Sequence, residues 1–237
     1  MARFVLVHGA WHGGWCWRRV AALLRAAGHE VWMPTLTGLG ERAHLSADTI
    51  NLSTHVQDIR AVLEWEELEN VILVGHSYGG MVITGVAEQV PERIARLIYL
   101  DAFVPKDGES VMAMLTPEFG TALRGATARG PRPGVPHTDF FGVFDPDDVE
   151  WLNRQLTAHP SKSFTEKLVA PQNRAATLPR TYVYCDDPAM GPFDRFFKDL
   201  RNDPGWRFYS LRTGHDAMVS DPQGVAEILL RDLDPPA

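Results

Sequence analysis

The sequence predicts a three-layer α/β sandwich, a mostly parallel six-stranded sheet with helices on both faces, and three observations predict it. Short apolar runs rich in β-branched residues alternate with stretches of helical period along most of the chain. One of them, Val71-Ile72-Leu73-Val74, is unbroken, as in a strand buried on both faces. It passes through Gly75-His76-Ser77-Tyr78-Gly79-Gly80 straight into a helical pattern carried by Met81, Val82, Val86, Ala87 and Val90 and closed by Pro91.

The elements follow in order. Residues 4–7 form the first strand, and 17–27 a helix ended by Gly28. Residues 30–33 form the second strand, stopped by Pro34. Residues 53–67 are helical, with Val56, Ile59, Leu63 and the Ala61-Val62 pair inward and Ser53 or Thr54 as cap. The third strand is 71–74, the fourth 96–100, the fifth 181–185 and the sixth 207–211. Repeated strand–helix–strand units imply right-handed crossovers, which place functional loops at the C-terminal strand ends.

Residues 105–179 break this rhythm, since no core strand is legible there. The passage RGATARGPRPGVPHTDFFG lies in the middle. Asp145 caps a helix with Pro146 at its first position and Asp147, Asp148 and Glu150 in its first turn. Ser163 and Glu166 have capping-box spacing for another. The expected organisation is a core of 1–104 and 180–237 with 105–179 inserted as a lid. Its aromatics Phe119, Phe140, Phe141, Phe144 and Trp151 suit an apolar wall over a site.

The 237 residues carry a net charge of -7, which argues against a nucleic-acid surface. Two cysteines, Cys16 and Cys185, make no disulfide framework. No apolar run reaches membrane-spanning length. Met1-Ala2-Arg3 leads directly into the first strand without room for a signal peptide, so a soluble, cytoplasmic protein is expected.

Gly75-His76-Ser77-Tyr78-Gly79 matches G-x-S-x-G between strand and helix, the setting in which a strained turn lifts a serine hydroxyl clear of a sheet. Ser77 is the expected nucleophile. It needs a base downstream, and among nine histidines only His215 sits in a Gly-flanked loop after the last strand, GHDAMVSDP, ahead of a helix capped by Asp221 with Pro222. His76, beside the serine, reads as a packing or hydrogen-bonding residue. The acid that orients the base has two possible positions. Asp101 follows the fourth strand between apolar neighbours, where a carboxylate must be paired if buried. Asp186 and Asp187 follow the fifth strand in an ordinary Asp-Asp-Pro turn. Asp101 ranks first, Asp187 is the alternative, and Asp186 stands behind both.

The loop His8-Gly9-Ala10-Trp11 after the first strand supplies an oxyanion hole, with the main-chain N–H groups of Ala10 and Tyr78 as donors and Trp11 as a substrate-binding residue. The glycine spacing is wrong for a dinucleotide fingerprint, and TGLGER lacks the G-K-[ST] of a phosphate loop. His8 and His12 have i,i+4 spacing, but Gly9 and a strand end there disfavour a metal-binding helix turn. No cofactor and no metal is expected.

The stretches FVLVHGAWHGGWCW, VILVGHSYGGMVI, LIYLDAFVP and GHDAMVSDP, in this order, resemble the α/β-hydrolases of the group that holds plant methylesterases, hydroxynitrile lyases and bacterial carboxylesterases. The likeness spans nearly the whole chain and is weakest in 105–179. It implies an α/β-hydrolase fold and ester hydrolysis through a Ser77 acyl-enzyme, with His215 as base and then acid. The plant members place their acid after the fifth strand, so the resemblance leaves Asp101 and Asp187 both open. Where the lyases carry a threonine and a lysine, this chain has Gly9 and Asp216, which counts against cyanide release. The expected activity is hydrolysis of a carboxylic ester of a small apolar or aryl molecule, by a monomer or homodimer without nucleic-acid or membrane partners. A lactone hydrolase or tailoring enzyme of aromatic metabolites is the first alternative, and a non-catalytic binding protein the second.

Overall fold

The computed structural model describes residues 1–45, 48–128, 130–131 and 134–233. Arg129, Arg132 and Pro133 of the Gly/Pro-rich passage, and 234–237 of the last core segment, lie outside them. Six strands, β1 (Arg3–Val7), β2 (Glu30–Trp32), β3 (Val71–His76), β4 (Ile94–Leu100), β5 (Arg180–Cys185) and β6 (Arg207–Leu211), form one sheet in the order β2-β1-β3-β4-β5-β6. Every pairing is parallel.

Alternation along the strands builds two cores. Val5, Val7, Leu73, Leu97 and Tyr99 face α2 (Leu52–Trp65), α3 (Gly79–Gln89) and α8 (Asp194–Leu200). Phe4, Leu6, Ile72, Val74 and Ile98 face α1 (Arg18–Ala26) and α10 (Pro222–Arg231). Each such side chain contributes about 1.5–3 kcal/mol on full burial. A sheet buried on both faces explains the unbroken apolar runs. Strand order reverses between β1 and β3, so the loops after these neighbours diverge and leave a crevice at their C-terminal ends.

Between β4 and β5 run α4 (Val111–Met114), α5 (Pro117–Thr127), α6 (Pro146–Gln155) and α7 (Lys162–Thr165), with no strand among the described residues. The α6 cap is the expected one: Asp145 accepts the N–H groups of Asp147 and Asp148 at 3.0 and 3.2 Å. Two other caps differ. Asn51, not Ser53 or Thr54, caps α2, accepting the Thr54 N–H at 3.0 Å while Thr54 Oγ1 receives the Asn51 N–H at 3.3 Å. Ser163 and Glu166 form no capping box. Ser163 Oγ donates to the Pro160 carbonyl at 2.7 Å, and Glu166 instead reaches Ser53, accepting its N–H at 2.7 Å and its hydroxyl at 2.8 Å. A carboxylate at the positive end of α2 is favoured by the helix dipole, an attraction between segments far apart in sequence. No described helix is long and apolar enough to cross a membrane. A short α9 (Ala217–Ser220) follows the last strand and leads into α10, which Asp221 caps by accepting the Gly224 N–H at 2.9 Å.

Candidate active site

Ser77 sits at the tip of the β3–α3 turn with φ of 53°, a left-handed conformation unusual for a residue with a side chain. Neighbouring backbone holds it there: its N–H donates to Leu100 O at 3.3 Å, and its carbonyl accepts the N–H groups of Gly80 and Phe103, each at 3.1 Å. The motif glycines answer to close approach. A Cβ on Gly75 would meet Gly79 O at 2.7 Å, and one on Gly79 would meet Val7 O at the same distance.

His215 follows β6 in the loop before α9, and its Nδ1–H donates to Asp101 Oδ2 at 2.6 Å. Asp101, at the end of β4, is fully buried, and its Oδ1 accepts the Cys185 N–H at 3.4 Å. Asp187 is exposed and pairs with the exposed Arg212 at 3.4 Å; Asp186 is exposed as well. The His215 ring is packed between Phe193, stacked at 4.8 Å, and His76, at 4.5 Å. Burial lowers His215 to about 4, so at neutral pH the imidazole is an unprotonated base. With Nδ1 given to Asp101, the basic nitrogen is Nε2. Burial also pushes the Asp101 carboxyl up, against the Cys185 N–H; the short contact with His215 favours the carboxylate.

A buried charge lies behind this pair. His12 donates from Nδ1 to Ala10 O at 2.7 Å and from Nε2 to Asp216 Oδ2 at 2.9 Å. Burial opposes the His12 cation, but the Asp216 carboxylate outweighs it and His12 is held above its ordinary value. Burial likewise opposes the Asp216 anion, and His12 holds that carboxyl down. The carboxylate next to His215 is thus committed to His12. His76 is a hydrogen-bonding residue, as expected, donating from Nε2 to His215 O at 3.0 Å. Among the described residues, His76, His215 and Asp216 place ligand atoms within 4.8 Å of one another. A cation there would compete with His12 for Asp216 and with Asp101 for His215.

Ser77 and His215 open on a cavity of about 370 Å³ at the diverging ends of β1 and β3. Ala10, Trp11 and Tyr78 line it beside them, and Phe119, Phe140 and Phe141 come from the segment between β4 and β5. Two aromatics expected there do not. Phe144 is exposed, and Trp151 packs 5.2 Å from Trp15 under the guanidinium groups of Arg18 and Arg19. Phe103, Met190 and Phe193 also line the cavity; no sequence reading singled out their role, though each follows the C-terminal end of β4 or β5, where a site is expected. The Tyr78 hydroxyl is engaged away from Ser77, donating to His55 Nδ1 at 2.8 Å while His55 Nε2–H donates to Thr37 O. The wall is almost wholly apolar. Such a wall around one hydroxyl and one imidazole suits an uncharged ligand.

A family model described as "Alpha/beta hydrolase family" matches residues 4–228. The chain is 44% identical to a carbendazim hydrolyzing esterase of Nocardioides sp. (strain SG-4G), covering 97% of this chain and 98% of that one. It is 36% identical to Methylesterase 10 of Arabidopsis thaliana, over 95% and 90% of the two chains. Among solved structures it resembles an extracellular alpha/beta-hydrolase from a Paenibacillus species, with a TM-score of 0.85 and 26% identity over 98% of each chain.

Proposed function

Because the chain belongs to the alpha/beta hydrolase family, we propose that it hydrolyses carboxylic esters of small apolar or aryl molecules through an acyl-enzyme on Ser77. The observation that carries this reading is that Ser77 and His215 line one apolar cavity, with Asp101 bound to Nδ1 of the imidazole.

In the proposed reaction His215 Nε2 takes the Ser77 hydroxyl proton as Oγ attacks the ester carbonyl. The N–H groups of Ala10 and Tyr78 receive the oxyanion, and neither is used in the backbone hydrogen bonds of these loops among the described residues. The C–O bond breaks, the alcohol leaves with the proton from His215, and water, deprotonated by the same nitrogen, releases the acid. Asp101 fixes the tautomer and stabilises the transient imidazolium. Trp11 and the aromatics of residues 105–179 form the apolar wall, and that segment serves as the lid over it. The names of the relatives, methylesterases and a carbendazim esterase, support a methyl or aryl ester as substrate.

The test is a panel of methyl esters of aromatic acids, p-nitrophenyl acetate and butyrate, carbendazim and aryl lactones. Turnover of open-chain esters, fastest with apolar or aryl groups, is expected. Activity confined to lactones, or none on any member, would overturn the proposal.

A further inference from the structure

The peptide group joining Ala10 to Trp11 is held at both ends, and one holder comes from the segment between β4 and β5. Its carbonyl accepts the His12 Nδ1–H at 2.7 Å. Its N–H donates to His159 Nδ1 at 3.2 Å. The next carbonyl, that of Trp11, accepts the Thr157 N–H at 2.9 Å. Trp11 has a φ of 66°, a conformation unfavourable for a residue with a side chain, so these bonds oppose its relaxation.

His159 is fixed as an acceptor. Its Nε2 lies 2.7 Å from Ser163 Oγ, and that hydroxyl gives its own hydrogen to Pro160 O at 2.7 Å. Nε2 therefore carries the proton and Nδ1 accepts from Trp11. The ring is fully buried, stacked on Phe164 at 4.3 Å and edge-on to Tyr78 at 5.0 Å. One imidazole thus touches the residues on both sides of the proposed oxyanion hole.

We propose that His159 is a positioning residue for ester hydrolysis: by holding the Trp11 N–H it fixes the peptide plane beyond Ala10 and thereby aims the Ala10 N–H at the oxyanion. The proposal rests on the reading of Ala10 as an oxyanion donor. The two peptide planes flanking Ala10 share its Cα, so releasing one lets the other turn. The loss falls on the transition state, where the oxyanion is charged, more than on the bound ester.

The experiment compares the full-length enzyme with His159→Leu and His159→Asn, the amide oxygen of asparagine standing near the place of Nδ1. Kinetics on the best ester of the panel are measured with inhibition by an alkyl trifluoromethyl ketone, which adds Ser77 Oγ to form a tetrahedral oxyanion, and by a planar alkyl methyl ketone. In His159→Leu, kcat should fall about 10- to 100-fold with KM within about threefold. The trifluoromethyl ketone should weaken in parallel, the methyl ketone should not, and His159→Asn should recover most of the loss. A kcat within about twofold of the parent, equal weakening of both ketones, or no recovery with asparagine would overturn the proposal. Should His159→Leu not fold, Ser163→Ala, which frees the tautomer, should lower kcat about 3- to 10-fold with the same inhibitor pattern; an unchanged kcat there overturns it too. An active parent and inert Ser77→Ala beside an unimpaired His159→Leu would contradict the positioning role alone. A parent inert on every ester would remove both readings.

Discussion

In the proposed mechanism the chemistry turns on Asp101, because its bond to Nδ1 leaves Nε2 as the basic nitrogen of His215. Its backbone is strained, with φ of 41°, and its N–H is drawn to Val183 O at 2.7 Å, so β5 holds the carboxylate in place. In Asp101→Asn an amide would replace the acceptor, and the imidazole would turn its N–H toward Ser77. Turnover should then fall by about four orders of magnitude without loss of fold. Asp187→Asn breaks an exposed ion pair with Arg212 and should keep kcat/KM within about threefold, since such pairs are weak and screened. Steady-state kinetics on both variants, with circular dichroism as a check on folding, decide between them. A crippled Asp187→Asn beside an active Asp101→Asn would reverse the assignment.

At the scale of elements, what was legible depended on whether the signal was local. All six strands lie where their apolar runs place them, with ends that differ by at most two residues, as where β3 extends through Gly75 and His76. The turn at Ser77 was legible because strand, glycines and helix are contiguous. His215 was legible from chain order and its loop. The neighbour of His215 was legible only in part: the apolar flanks of Asp101 rank it ahead of Asp187, but both follow strand ends and only the three-dimensional arrangement brings the Asp101 carboxylate to the ring. Capping misled in the same way: Ser53 and Ser163 carry good local signals, yet the partners they take are Glu166, 113 residues from Ser53, and His159 with Pro160. His159 gave no signal as a holder of Trp11, which lies 148 residues away. Contacts of that span are written in no local pattern.

At the scale of the whole molecule, burying so many neutral histidines has a consequence for stability. Burial, the leading cause in each, depresses His8 to about 3, His55 to about 4, His76 well below its ordinary value and His215 to about 4. As pH falls from 6.5, the unfolded chain binds these protons and the folded one does not. Their contribution is thus intact above 6.5 and lost toward 4, at up to about 1.4 kcal/mol per group per pH unit. Asp101, held up, runs the other way in this range. His12, also held up, contributes in full below 6.5 and loses that contribution only above it, so it adds no slope here, and Asp216, held down, acts only below its unfolded value of 3.8. Four groups outweigh one, so the Tm from calorimetry should fall steadily between pH 6.5 and 4.5; a level or rising Tm would mean that the buried rings are charged. The same packing sets Ser77 and His215 on one cavity with Asp101 behind the imidazole, from three separate strand ends, and in the proposed mechanism this makes Ser77 a covalent nucleophile. That role is tested most directly by intact-protein mass spectrometry and peptide mapping after rapid mixing with p-nitrophenyl butyrate and an acid quench. One butyryl group per chain is expected, on the peptide bearing Ser77, and none in Ser77→Ala, which should also lose turnover. An adduct on another residue, or full turnover by Ser77→Ala, would contradict it.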